Sequence, residues 1–153
     1  MGITYFQPTA GAGVNVSGTP SAGQILEATG ANAASWQNGM VQQAATAVAG
    51  YTMINGTGNI ITWTPPNDGL LHRAMVIFTL HVSVLEVGGA VGVALTKPDG
   101  SASNSQIDAG AHAAGGVFAI AGFEVQAGQP VTVQQTSALT AGAAVAWCEI
   151  WGS

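Results

Sequence analysis

Charge is what this sequence most lacks. Only 6% of its 153 residues are charged, where a soluble domain carries roughly a quarter. Two cations, Arg73 and Lys97, face seven acids, giving a formal net charge of −5. Binding to nucleic acid through phosphate neutralisation needs clustered lysines and arginines, so that class is excluded. A monomer this poor in charge is sparingly soluble unless partners cover much of its surface. Oligomerisation is therefore expected.

Other absences narrow the reading further. A single cysteine, Cys148, rules out an intrachain disulfide framework. Its setting in an apolar stretch marks it as a small buried hydrophobe rather than a nucleophile. The opening Met-Gly-Ile-Thr-Tyr-Phe-Gln-Pro has no basic start and no apolar core, so no signal peptide is expected and synthesis is placed in the cytoplasm. The longest apolar run, residues 74–80, is too short to span a bilayer. Hydrophobic residues reach 48%, but much of that is alanine beside 22 glycines, so large core side chains are few.

Chemistry-bearing motifs are missing too. His72, His81, His112, Cys148 and the carboxylates show no HxxxH or CxxC spacing, and no Gly-x-Ser-x-Gly elbow occurs. Asp68 and Asp99 sit in glycine-containing turns, which turn chemistry explains, and neither offers enough oxygens for calcium. No enzyme, cofactor or metal site is expected. His81 reads as a satisfied core or interface histidine, and the sharper reading of His112, in Ala-Gly-Ala-His-Ala-Ala-Gly-Gly, has it line a trimer axis where three copies bind an ion or anion.

What is present is strand after strand. In 131–136, Val131, Val133 and Gln135 alternate with Thr132, Gln134 and Thr136, the period-two spacing of a half-buried strand. In 117–125 the apolar positions are grouped as 118, 120, 123 and 125, with Gly122 interrupting the alternation. Residues 143–151 are apolar almost throughout, as in a strand covered on both faces. Between 70 and 87, Val76, Phe78, Leu80, Val82 and Val84 form the expected core face, with Met75, Ile77, Thr79 and His81 opposite. Turns fall at Asn55-Gly56, Pro65 to Gly69, Gly88-Gly89, Lys97 to Gly100 and Ala127 to Pro130. Residues 91–96 return as a strand, 101–104 read as polar loop, and 107–114 as a weak strand. Residues 40–50 fit a short helix or a first strand, and β-branched Thr46 and Val48 with Gly50 at the end favour strand or linker. The count is about eight strands and no long helix, which predicts an all-β sandwich with jelly-roll topology.

Residues 1–44 differ from 45–153. Glycine, alanine, serine and threonine dominate, and large side chains stand apart at Tyr5, Phe6, Ile25, Leu26 and Trp36. Such a segment cannot offset its ordering entropy by its own burial. It is either a disordered leader or an extended N-terminal arm whose spaced anchors dock on a neighbouring subunit; the hydrophobic anchors favour the arm.

Within it, Gly18, Pro20, Ser21, Ala22, Gly23, Gln24, Ile25 and Leu26, then Ala34, Ser35 and Trp36, spell a recognisable pattern. It resembles a short module of tail, fibre and other surface proteins of bacteriophages, particularly phages of actinobacteria. Glu27 departs from the small polar residue usual there. The resemblance implies a virion protein with a β domain after the module. At the other end, Ala127-Gly128-Gln129-Pro130-Val131-Thr132-Val133-Gln134 and the closing 148–152 resemble the complement/tumour-necrosis-factor jelly roll. There the two strands help form the trimer-side sheet, which implies a homotrimer.

These readings converge on a capsid decoration protein. It would trimerise on the virion surface and bind the major capsid protein through its arm, three arms on one body multiplying weak contacts. The alternative is a receptor-binding fibre tip that stacks host glycan on Trp63, Tyr51 and Trp151, although core packing also accounts for those aromatics. Phe78, Leu80, Val82, Phe118, Ile120, Val131, Val133 and Trp147 are the expected core or subunit-interface positions.

Overall fold

The computed structural model describes residues 15–17, 19, 24–30 and 33–153. They divide into two compact units, one ending at Gly39 and one running from Met40 to Ser153. All regular structure among them is β.

The first unit is a three-stranded sheet. Strand β1 (Asn15–Ser17) runs parallel to β3 (Ala33–Asn38), which pairs antiparallel with β2 (Gln24–Gly30). The sequence shows no strand period here, because glycine and alanine carry no hydrophobic alternation to read. The pairing that the backbone finds replaces the expected extended arm over these residues.

The second unit begins earlier than composition suggests. Strand β4 (Val41–Ala45) is hydrogen-bonded to the closing strand, so the boundary lies at Gly39/Met40 rather than after residue 44. The unit continues as β5 (Tyr51–Thr52), β6 (Gly58–Trp63), β7 (Leu71–Gly88), β8 (Val91–Thr96), β9 (Ala102–Asp108), β10 (Gly115–Gln126), β11 (Val131–Gln135) and β12 (Leu139–Gly152). Two sheets form. One has the order β10-β7-β12-β4, with β5 also on β12; the other has the order β6-β11-β8-β9. The antiparallel partners are nested: β8 with β9, β7 with β10, β6 with β11, and β4 with β12.

The sheets bury one common core and make a β-sandwich. Val76, Phe78, Leu80 and Val82 of β7 and Ala144, Ala146, Cys148 and Ile150 of β12 come from one side. Val91, Val93 and Leu95 of β8 with Val131 and Val133 of β11 come from the other. Alternation in β7 and β11 therefore selects the buried face as expected. Val84 does not follow: it is 58% exposed, beside a stretch of β12 whose register shifts between Leu139 and Ala144. Such irregularities interrupt the alternation locally, and the core phase resumes at buried Glu86.

Two strands fall elsewhere than anticipated. The sequence places a polar loop at 101–104 and a weak strand at 107–114; the strand is β9, across the Lys97–Gly100 turn from β8. Its Ala-Ser-Asn-Ser-Gln run has poor β propensity, but an edge position with one solvated face tolerates it. The strand at β11 lies in the four-stranded sheet, whereas the closing β12 lies in the five-stranded one. They do not share the single sheet that the jelly-roll resemblance assigns them.

Candidate functional site

The outer face of the five-stranded sheet is the feature that calls for a function. Ladder register aligns its outward residues in rows across β10, β7 and β12. Phe118, Thr79 and Trp147 make one row, Ile120, Ile77 and Glu149 the next, and Gly122, Met75 and Trp151 a third. Phe118 is 64% exposed, Ile120 57% and Trp147 37%. Apolar side chains this exposed and this contiguous mark an interaction surface rather than scattered surface hydrophobes. Gly122 leaves a notch in it, since nothing stands within 4 Å of where a Cβ would be.

The expected interface set thus divides. Phe78, Leu80, Val82, Val131 and Val133 are buried core. Phe118, Ile120 and Trp147 lie on the outer face instead. Strand β10 runs along β7 with no bulge, so Gly122 does not change the phase. Val117, Ala119, Phe123 and Val125 turn inward and Phe118 and Ile120 outward, where the sequence grouped 118 and 120 with 123 and 125. Nor is β12 covered on both faces within one chain. His81, read as core or interface, is exposed on the same outer face, opposite Gly116 and Val145.

Of the arm anchors, Tyr5 and Phe6 lie outside the described residues. Ile25 and Leu26 are 56% and 43% exposed, and half-buried Trp36 faces Leu26 across the β2–β3 ladder. The first unit therefore also presents apolar side chains outward.

The three aromatics proposed for sugar stacking do not share a surface. Tyr51 and Trp63 pack against the core, and the Trp63 ring covers Gly152 closely enough to leave no room for a Cβ. Trp151 faces outward and donates its Nε1–H to Glu149 Oε2 at 2.8 Å. Cys148 is buried, and burial pushes its thiol up to about 12, so it is inert as a nucleophile.

His72 is buried between two acceptors: Nδ1 lies 2.5 Å from the Ser153 carbonyl oxygen and Nε2 lies 2.9 Å from Asp68 Oδ1. Burial alone would lower its pKa, but hydrogen bonds to Ser153 and Asp68, and the Asp68 charge, outweigh burial and raise it. Stability from this pair is fully present below the unfolded histidine value of about 6.5 and is lost as pH rises through the raised folded value. Wild type should therefore lose more denaturant resistance than His72→Gln between pH 5.5 and pH 9. Equal losses in urea titrations would show that the pair contributes nothing.

A second cluster went unread in the sequence. Glu86, at the end of β7, and Asp108, at the end of β9, are buried at 1% and 5% exposure, and His112 stands beside them. Each offers a ligand atom within 4.8 Å of the other two. His112 Nε2 meets Asp108 Oδ1 at 2.5 Å, which places this histidine in a contact within its own chain. Burial first, and then the neighbouring Asp108 charge, push the Glu86 carboxyl above its ordinary range against the opposing effect of His112. One signal was available: Glu86 continues the even-numbered core phase of Val76, Phe78, Leu80 and Val82.

Comparison with protein-family models, with curated proteins and with solved structures finds no match to this chain.

Proposed function

We propose that this chain is a bacteriophage capsid decoration protein. Its sandwich units assemble as a homotrimer, and its N-terminal unit attaches them to the major capsid protein on the outer face of the head. The observation that carries the reading is the open apolar face of Phe118, Ile120, Ile77, Met75 and Trp147. The occupant of that face is further copies of the chain. A sequence with 6% charged residues has little polar surface to keep such a face dispersed, and β12 is apolar on both its sides.

The nested strand pairing supports jelly-roll topology, because rolling one long hairpin with β8–β9 at its tip produces those partners in that order. The GxPSAGQ…ASW resemblance supports a virion setting, and the exposed Ile25 and Leu26 support attachment through the first unit. Three such units on one body would bind a shell far more firmly than one.

The test is light-scattering mass of the purified chain, followed by sedimentation with undecorated shells. A mass of about three chains that co-sediments with shells is expected. Removal of residues 1–39 should keep the trimer and abolish shell binding. A stable monomer defeats the assembly reading. Full shell occupancy by the truncated chain defeats attachment through the N-terminal unit. A trimer that ignores shells but binds host-cell sugars would favour the receptor-binding tip.

A further inference from the structure

Three oxygens at the Glu86–Asp108–His112 cluster are buried without a hydrogen-bond partner: Glu86 Oε1, Glu86 Oε2 and Asp108 Oδ2. Buried acceptors are almost always satisfied, and an unpaired buried carboxylate is costlier still, since nothing returns its lost hydration. The two fixed cations of the chain, Arg73 and Lys97, stand elsewhere in the fold. Arg73 stands opposite Glu124 in the β7–β10 ladder, and Lys97 is in the β8–β9 turn. The local arrangement has too much negative capacity for the one imidazole beside it.

We propose that Glu86, Asp108 and His112 form a site for one divalent transition-metal cation of the zinc type, bound within a single chain. Two carboxylates balance a double positive charge. The imidazole nitrogen selects against calcium and magnesium, which prefer all-oxygen shells, and towards zinc or its neighbours. The His112 side chain is 28% exposed while that of Asp108 is 2% exposed, so the histidine edge gives a cation its way in.

The backbone holds the three donors together independently of any ion. The Glu86 N–H donates to the His112 carbonyl at 2.8 Å, and the Gly88 N–H donates to the Gly110 carbonyl at 3.0 Å. Asp108 is fixed by its register opposite Val91. Two glycines close the site. Gly89 has φ +75°, and a Cβ there would stand 2.5 Å from Glu86 Oε1. Gly110 has φ +68° and lies against the Gly88 carbonyl with no room for a side chain. A loop packed this tightly over a carboxylate is a built feature, because ordinary residues are excluded from both positions.

Zinc would need both carboxylates ionised and the His112 Nε2 lone pair free, so its binding should weaken as pH falls. The inference stands on one chain and does not depend on trimer or capsid.

The experiment is calorimetric titration of chelator-stripped protein with zinc chloride at pH 7.5, paired with thermal unfolding with and without zinc. One zinc per chain and a zinc-dependent rise in Tm are expected. Glu86→Gln and His112→Ala should each weaken zinc at least tenfold, while Glu124→Gln binds as wild type does. Glu86→Gln also removes a buried carboxylate, so it should remain folded. The proposal is overturned if His112→Ala binds zinc as tightly as wild type, or if calcium binds equally well and ignores that substitution. It is also overturned if zinc gives no heat and no shift in Tm.

Discussion

Phe118→Asp should convert the proposed assembly into folded monomers. Phe118 stands in the outer row with Thr79 and Trp147, and its ring is 64% exposed in the single chain. Covering a phenylalanine at an interface contributes about 2 kcal/mol by area, and aromatic anchors at interface centres dominate association. Replacing it with aspartate removes that contribution and buries an unpaired carboxylate at the same place. The second effect is the larger, on the order of 3–5 kcal/mol, or several hundredfold in association. The fold should survive, because the position contributes nothing to the core. Far-UV circular dichroism is expected to match wild type while light scattering reports one chain mass. A Phe118→Asp protein that still runs at wild-type mass would remove this face from the assembly and leave the low charge content without a structural explanation. Phe118→Ala, with no charge to bury, should show the smaller effect and titrate between the two states with concentration.

The sequence reveals where strands begin and end more readily than which strands meet. Gly88-Gly89 and Lys97 to Gly100 bracket β8 correctly because turn chemistry is local: glycine permits positive φ and proline fixes its own φ whatever the rest of the chain does. The core face of β7 and the phase of β11 are legible from period-two alternation alone. Phe118 and Ile120 were harder, since β10 has apolar residues on both faces and alternation cannot say which set turns inward. Only the unbroken register against β7 decides it. Strand β9 is hidden for the opposite reason, a polar edge whose pairing with β8 supplies what its propensity does not. The Glu86–Asp108–His112 cluster joins the ends of two strands and a loop; its parts are visible in the sequence and its assembly is not. The hairpin of β2 and β3 is likewise a matter of backbone pairing, in a stretch where side chains carry little pattern.

Gln135 is the case where local pattern and long-range role coincide, and its loss should be strongly destabilising to the sandwich unit. Alternation puts it in phase with Val131 and Val133, so an amide must enter the core, and it is 1% exposed. All of its hydrogen-bonding capacity is used there. Oε1 accepts from the Ile54 N–H at 3.1 Å and from the Tyr51 hydroxyl at 3.2 Å. Nε2 donates to the Ile54 carbonyl at 2.8 Å and to the Ser137 carbonyl at 2.9 Å. The amide therefore works as a piece of backbone, fastening the segment after β5 to the end of β11. Gln135→Leu keeps the volume and gains apolar contact, but it strips partners from two carbonyls, an amide and a phenol. Each group left unsatisfied costs roughly 1–3 kcal/mol, less where water can reach it. Ile54 is partly exposed, so the lower end applies and the sum is about 4 kcal/mol, a large share of the 5–15 kcal/mol typical of a domain. Thermal unfolding at fixed chain concentration should show a drop on the order of 10–20 °C. Gln134→Ala, one residue away on the other face and half-buried, should shift Tm by only a few degrees. Equal Tm values for the two variants would mean that the apolar gain of leucine offsets four lost hydrogen bonds, and that the buried amide is kept for something other than stability.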